Sequence, residues 1–199
     1  MRIEEARKDD AEFVGQTVTG AIGEELCLGL AETEERLPLV DKLFGNLAVC
    51  EDSQYSYRNA LIARTPEGEI AGAIIAYDGA RLHALRKAFI REANAVLGWN
   101  VTAEDEADWE DETGPDEIYI DSLYVKPEYR GHGVATALIN GVIEKYSDSG
   151  KPFGLLVEPE NTTARCLYDR LGFRKVGVNR FCGVPMDHLL NPKPSPSTI

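Results

Sequence analysis

One stretch limits what this chain can fold into more than any other. An apolar, β-rich run from Ile118 to Val125 stops at Pro127, a short glycine-containing loop follows, and a helical pattern begins at Val134. A strand that passes through small residues into a helix aims several backbone N–H groups at one point. With the positive end of the helix dipole behind them, those groups make an anion site. Bulk would block it, and Gly131, Gly133 and Ala135 remove the bulk. Gly133 can also take a positive φ and let an anion approach the backbone.

Three kinds of protein use such a loop. A phosphate-binding loop of nucleotide triphosphatases needs a Lys after its last glycine, and Val134 stands there instead. A dinucleotide-binding oxidoreductase is a second reading, because Gly131-His-Gly133 supplies two of that motif's three glycines and Glu158 follows the next strand. Thr136 then stands where a third small residue belongs, and Pro127 to Arg130 intrude between strand and glycines.

The third reading fits best. Arg130-Gly-His-Gly133-Val-Ala135 resembles the [QR]xxGx[GA] signature of the GCN5-related N-acetyltransferase (GNAT) superfamily. Asp121-Ser-Leu-Tyr-Val125 with Lys-Pro-Glu-Tyr is similar to that family's fourth strand and its exit. Asn161-Thr-Thr-Ala164, Tyr168 and Leu171-Gly-Phe173 are similar to its Asn…Ala…Tyr…Gly-Phe helix. The resemblance is specific over residues 117–173. It implies an α/β chain (α+β in some schemes) with a mixed, mostly antiparallel, splayed sheet flanked by helices. It further implies an acyltransferase using acetyl-CoA as co-substrate, with Leu123, Tyr124 and Val125 beside the pantetheine arm. Arg130, Gly131, His132, Gly133, Val134, Ala135 and Thr136 would surround the pyrophosphate, and Asn161 and Tyr168 would sit near the thioester end. The departure from the family is the length of residues 78–116, where a short link is usual.

The chemistry is amine attack on a thioester. An alkyl amine with a pKa of about 10 is mostly protonated at neutral pH, so a proton must be removed. Period-two alternation puts Glu117, Tyr119, Asp121, Leu123 and Val125 on one face. An acid amid an apolar strand is costly to bury alone, so Asp121 is either a structural hydrogen-bonding partner or the base, and the resemblance favours the base. Glu117, at the solvent end of the strand, is the second candidate. Tyr168 stays protonated at neutral pH and can donate to the leaving thiolate, although its place beside Leu167 and Leu171 also suits a core tyrosine. Cys166 has no activating partner in sequence, so direct attack in a ternary complex is expected, without a covalent intermediate. A catalytically silent acyl-CoA-binding regulator is the alternative from another class.

The remaining chain is consistent with one domain over residues 1–190. A first helix is expected from Asp9 or Asp10, broken near Gly29, and a second over Leu37 to Val49. Strands Tyr55 to Ala63 and Ile70 to Tyr77 form a hairpin around Thr65-Pro-Glu-Gly68. A helix from Ala80 to Leu97 leads into Glu104–Glu117, where nine of fourteen residues are acidic and a solvated, mobile loop is expected. Two last strands, Arg174 to Val178 and Val184 to Leu190, precede a tail over 191–199 expected to be disordered.

The net charge of −13 argues against nucleic acid or an anionic membrane as partner. Between Lys126 and Arg180, however, nine basic residues face six acidic ones, a local +3 that leaves −16 elsewhere. That asymmetry suits an anionic co-substrate in the basic third and a cationic amine beside the rest. Cys27, Cys50, Cys166 and Cys182 show no CxxC spacing and His83, His132 and His188 are scattered, so reduced thiols, no metal site and a cytoplasmic location are expected. A homodimer is compatible with the sequence but nothing in it selects one.

Overall fold

A computed structural model describes residues 1–192. The strands are β1 (Arg2–Glu5), β2 (Ala60–Arg64), β3 (Ile70–Asp78), β4 (Ile118–Val125), β5 (Phe153–Val157), β6 (Arg174–Phe181) and β7 (Val184–Asn191). The helices are α1 (Ala11–Ala31), α2 (Leu37–Val49), α3 (Leu82–Leu97), α4 (Ala103–Ala107), α5 (Val134–Lys145) and α6 (Thr162–Arg170). The seven strands form one sheet in the order β1-β2-β3-β4-β5-β7-β6. Every pairing is antiparallel except β4 with β5. The mixed, mostly antiparallel sheet expected from the sequence is therefore present. A doubly wound parallel sheet is not, which removes the dinucleotide reading.

Each face of the sheet carries its own core. On one, Val14, Val18, Leu43, Phe44 and Leu47 of α1 and α2 pack on Ile62, Ala73 and Ile75. On the other, Val134, Leu138, Ile139 and Val142 of α5 and Tyr168 of α6 pack on Ile74, Ile118, Ile120 and Leu155. These are the apolar stripes that a 3.6-residue period places on one side of a helix. Small residues set how closely the layers approach. A Cβ on Gly20 of α1 would lie 2.4 Å from the Tyr124 ring, and one on Gly141 of α5 would lie 2.8 Å from Ile3.

β4 is paired with β5 only over Ile118–Ile120, opposite Phe153–Leu155. Beyond that point the two strands part, and Leu156 and Val157 are paired only with β7, which runs along the other side of β5 throughout. The parting begins at a bulge. Ile75 faces Ser122 and Ala76 faces Ile120, so Asp121 is an extra residue with no partner on β3. The bulge inverts the strand's alternation, which corrects the expectation that residues 117, 119, 121, 123 and 125 share a face. Tyr119 packs with Tyr77, Leu82 and Leu85, whereas Leu123 and Val125 pack on the α5 side.

Other expectations change as well. The break between the first two helices falls at the acidic turn after Gly29, where Glu32 is left-handed (φ 68°), while Gly29 itself stays helical and α1 kinks earlier, at Gly23 (φ 79°, ψ 174°). Residues 55–59 are not strand. They form a buried polar loop and a 3-10 turn in which the Asn59 side chain donates to the carbonyls of Ser53 and Gln54 at 3.0 Å each. The acidic run is not simply solvated, because Glu112 and Glu117 are buried. Arg86 of α3 neutralises Asp111 and Glu112 at 3.0 and 2.5 Å, a charge partner that composition alone does not reveal. Asn191, assigned to the tail, closes β7 and donates to Leu171 O at 2.9 Å; residues 193–199 lie outside the described part.

Candidate active site

The parting of β4 and β5 and the loop into α5 meet at one opening. Lys126 N donates to Ala71 O at 2.9 Å. By the alternation of an antiparallel ladder, Tyr124 and Ser122 also bond toward β3. Leu123 and Val125 then present their main-chain groups to the gap, where β5 no longer takes them. Val125 O accepts from Arg130 Nε at 3.0 Å, and the Arg130 guanidinium lies over the Tyr124 ring at 5.8 Å. Arg130 is thus folded along the strand end, leaving its charge beside the gap. The Tyr124 ring is turned the other way, against Gly20 and Phe13 of α1.

Gly131 and Gly133 have φ of 76° and 78°, the left-handed conformation that only glycine takes without strain. A Cβ on either would meet nothing within 4 Å, so the loop borders open space. Gly133 is the N-cap of α5 and supplies no side chain, leaving the amides of Val134, Ala135 and Thr136 without capping acceptors. His132 turns its Nδ1 to Arg130 O at 2.8 Å. These residues fit a diphosphate: free donors, a helix N-terminus and room for close approach.

Asp121 stands at the inner end of the gap, on the α1–α3 side of the sheet. Its carboxylate accepts from Tyr77 Oη at 3.1 Å and from Ser122 Oγ at 2.8 Å. Burial, and then the nearby Glu112, push its pKa up to about 7. A carboxylate poised there can take up and release a proton near neutrality.

Tyr168 lies across the gap, in the core with Leu155, Val157 and Phe173. Burial pushes its phenol up to about 12. Among the described residues its hydroxyl has no hydrogen-bond partner. Asn161 caps α6, its side chain accepting from Ala164 N at 3.0 Å. Glu117 does not belong to this group. It sits at the closed end of β4, four residues or roughly 13 Å from Asp121 along the strand. It is 4% exposed rather than next to solvent, and it accepts from Gly114 N at 3.3 Å and pairs with His188 Nε2 at 2.9 Å. Its partners make it a pin between the acidic loop and β7.

A cavity of about 800 Å³ opens on the Asp121 side. Leu26 and Leu30 of α1, Phe44 of α2, Phe89 of α3 and Trp109 of the acidic loop wall it. Two further contributors come from elsewhere in the chain. The β6–β7 turn, Arg180 to Gly183, closes one side, held to the acidic loop by Asn179 Nδ2 on Glu112 O at 3.1 Å. Gln54, from the loop before β2, forms part of the floor next to Asp121. A single glutamine in a polar loop carries no periodic signal.

Comparison with known proteins agrees with this geometry. Residues 49–173 match the model of the acetyltransferase (GNAT) family. The thialysine N-epsilon-acetyltransferase of Sus scrofa is 45% identical over 58 residues, 29% of this chain and 34% of that protein. The Bos taurus protein of the same name is 43% identical over 56 residues, 28% and 33%. The match thus spans only about a third of the length of these curated relatives. An N-acetyltransferase from Staphylococcus aureus Mu50 superposes with a TM-score of 0.72 at 22% identity, over 96% of this chain and 100% of that one. The PaiA N-acetyltransferase of Thermoplasma acidophilum, solved in complex with coenzyme A, superposes at 0.56 with 13% identity over 96% and 98%. Through the matched segment, which holds the bulged strand, the glycine loop and the Asn161–Phe173 helix, the chain belongs to the acetyltransferase (GNAT) family.

Proposed function

We propose that this protein moves an acetyl group from acetyl-CoA to a primary amine by direct attack in a ternary complex. The observation that carries the proposal is the parting of β4 from β5 at the Asp121 bulge. It opens a slot from the amides of the α5 N-terminus to a cavity on the opposite face of the sheet. The PaiA N-acetyltransferase, which shares the fold, was solved in complex with coenzyme A, and this supports coenzyme A as the ligand of the slot. Acetyl-CoA supplies the activated acyl carbon. The amides of Gly131 through Thr136 hold the diphosphate, and the main chain of Leu123 and Val125 pairs with the extended arm as an added strand would.

Asp121 is the base. It takes a proton from the incoming ammonium, directly or through water, and frees the nitrogen lone pair. The C–N bond then forms as the C–S bond breaks, and the proton the nitrogen sheds on becoming an amide passes to the thiolate, which leaves as free coenzyme A. Tyr168 faces the departing sulfur as a hydrogen-bond donor. With its phenol at about 12 and an ordinary thiol near 8.5, it keeps its proton and stabilises the developing charge. Calorimetry should register acetyl-CoA binding, and a thiol-release assay should register turnover that depends on amine. Tyr168→Phe should lower kcat about tenfold or more with acetyl-CoA affinity unchanged. Binding without turnover across a broad amine panel would instead identify a silent acyl-CoA-binding regulator, and no binding would remove the reading altogether.

A further inference from the structure

Resting on that reading, we infer that the amine acceptor is one with an aromatic body and no carboxylate, its nitrogen received by Gln54 at the floor of the cavity. The first observation is an unmet acceptor. Gln54 is 3% exposed, yet its Oε1 is buried with no hydrogen-bond partner. Its Nε2 donates to Glu112 Oε1 at 3.5 Å, and the amide also lies within hydrogen-bonding range of the Asp121 carboxylate. A buried amide oxygen left unpaired is costly, and a ligand N–H recovers that cost. The backbone that carries Gln54 is held in place, because the Asn59 side chain donates to the main-chain carbonyls of Ser53 and Gln54.

The second observation is the chemistry of the walls. Phe44, Phe89, Trp99, Trp109 and Phe181 surround the space above Gln54. Flat faces of this kind receive an aromatic ring, and their negative faces also favour a cationic nitrogen. The third is the state of the two cations present. Arg86 is spent on Asp111 and Glu112, and Arg180 lies 3.8 Å from Glu110 and donates to Gly183 O at 2.7 Å. Arg180 is half-exposed and its ion pair is long, yet three carboxylates, Asp108, Glu110 and Glu112, line the cavity against the two arginines, and Asp108 has no ion pair among the described residues. A zwitterionic amino acid would bring its carboxylate into a lining where acidic groups outnumber basic ones, a cost that a simple arylalkylamine avoids. In this respect the cavity differs from what an amino-acid acceptor requires.

Tryptamine and tryptophan share one ring system and differ by the carboxylate, so they isolate the question on the unaltered protein. With acetyl-CoA saturating, kcat/KM for tryptamine should exceed that for tryptophan, and that for S-(2-aminoethyl)-L-cysteine (thialysine), by at least tenfold. Gln54→Leu should then raise the KM for tryptamine at least tenfold, keep kcat within threefold, and leave acetyl-CoA affinity unchanged. Acetylation of tryptophan or thialysine within tenfold of tryptamine would overturn the inference while leaving the acetyltransferase reading intact. An unchanged KM in a Gln54→Leu protein that still binds acetyl-CoA would remove Gln54 from it. Failure of the parent protein to bind acetyl-CoA at all would sink both together.

Discussion

Asp121 is where structure and chemistry pull against each other. Its carboxyl has an ordinary pKa of 3.8 and is pushed up to about 7, first by burial and then by Glu112. Between those values the folded protein keeps a proton that the unfolded chain has released. The stability contributed by the neutral carboxyl is complete below about pH 4 and is lost as pH rises through about 7. The ionised form that serves as base is therefore the form that destabilises the fold. Asp121→Asn should abolish the rise of kcat/KM through pH 7 and lower it about a hundredfold at pH 8. The same variant should melt higher than the parent at pH 8, by on the order of 5 °C, with the difference vanishing toward pH 4. Tyr77 Oη can still donate to the amide oxygen, so the core contact survives. A parent melting temperature flat between pH 5 and 8 would refute the assignment.

At the scale of elements, the glycines that matter fall into two kinds. Gly133 precedes α5 at φ 78° and faces open space, so a side chain there meets no protein atom, only whatever occupies the loop. Gly133→Asp should raise the acetyl-CoA dissociation constant at least a hundredfold, through charge and backbone strain, while costing about 1–2 kcal/mol of stability. Gly154 of β5 is the opposite case. A Cβ there would lie 2.1 Å from Glu117 Oε2, the atom that meets His188. Gly154→Ala should cost about 1–3 kcal/mol in urea denaturation and leave the glycine loop's ligand affinity unchanged once folded. What was legible in the sequence divides along the same line. Helix stripes such as Val134, Leu138 and Val142, the hairpin at Thr65–Gly68 and the cap at Asn161 are local patterns, and the structure has them. The bulge at Asp121 is not local: it needs β3 alongside, so plain alternation put Leu123 and Val125 on the wrong face. Glu117, Glu112 and Gln54 depended on His188, Arg86 and the cavity, partners far away in the chain that no spacing announces.

For the molecule as a whole, the question is whether residues 1–190 behave as one unit despite the long insert. One sheet runs unbroken from β1 to β6, with a core on each face. The insert is bound into it at several points. Arg86 holds the acidic loop, Glu117 ties that loop to β7, and Asn179 ties β6 to it. Lys151, just before β5, reaches both Asp78 at the end of β3 and Pro115 O in the same loop, at 2.5 and 2.7 Å. With the insert pinned to α3, β3, β6, β7 and the residues before β5, melting should be one cooperative transition. Acetyl-CoA contacts only a loop and a strand edge, yet in a cooperative unit its binding must protect everything. At a hundred times its dissociation constant it adds about 2.7 kcal/mol, which for a domain of this size raises the single midpoint by about 5–10 °C. Calorimetric scans with and without acetyl-CoA test this directly. Two transitions, only one of which moves with ligand, would mean that the insert and its cavity fold apart from the coenzyme half, and the coupling argued between Asp121, Gln54 and the acidic loop would fail with it.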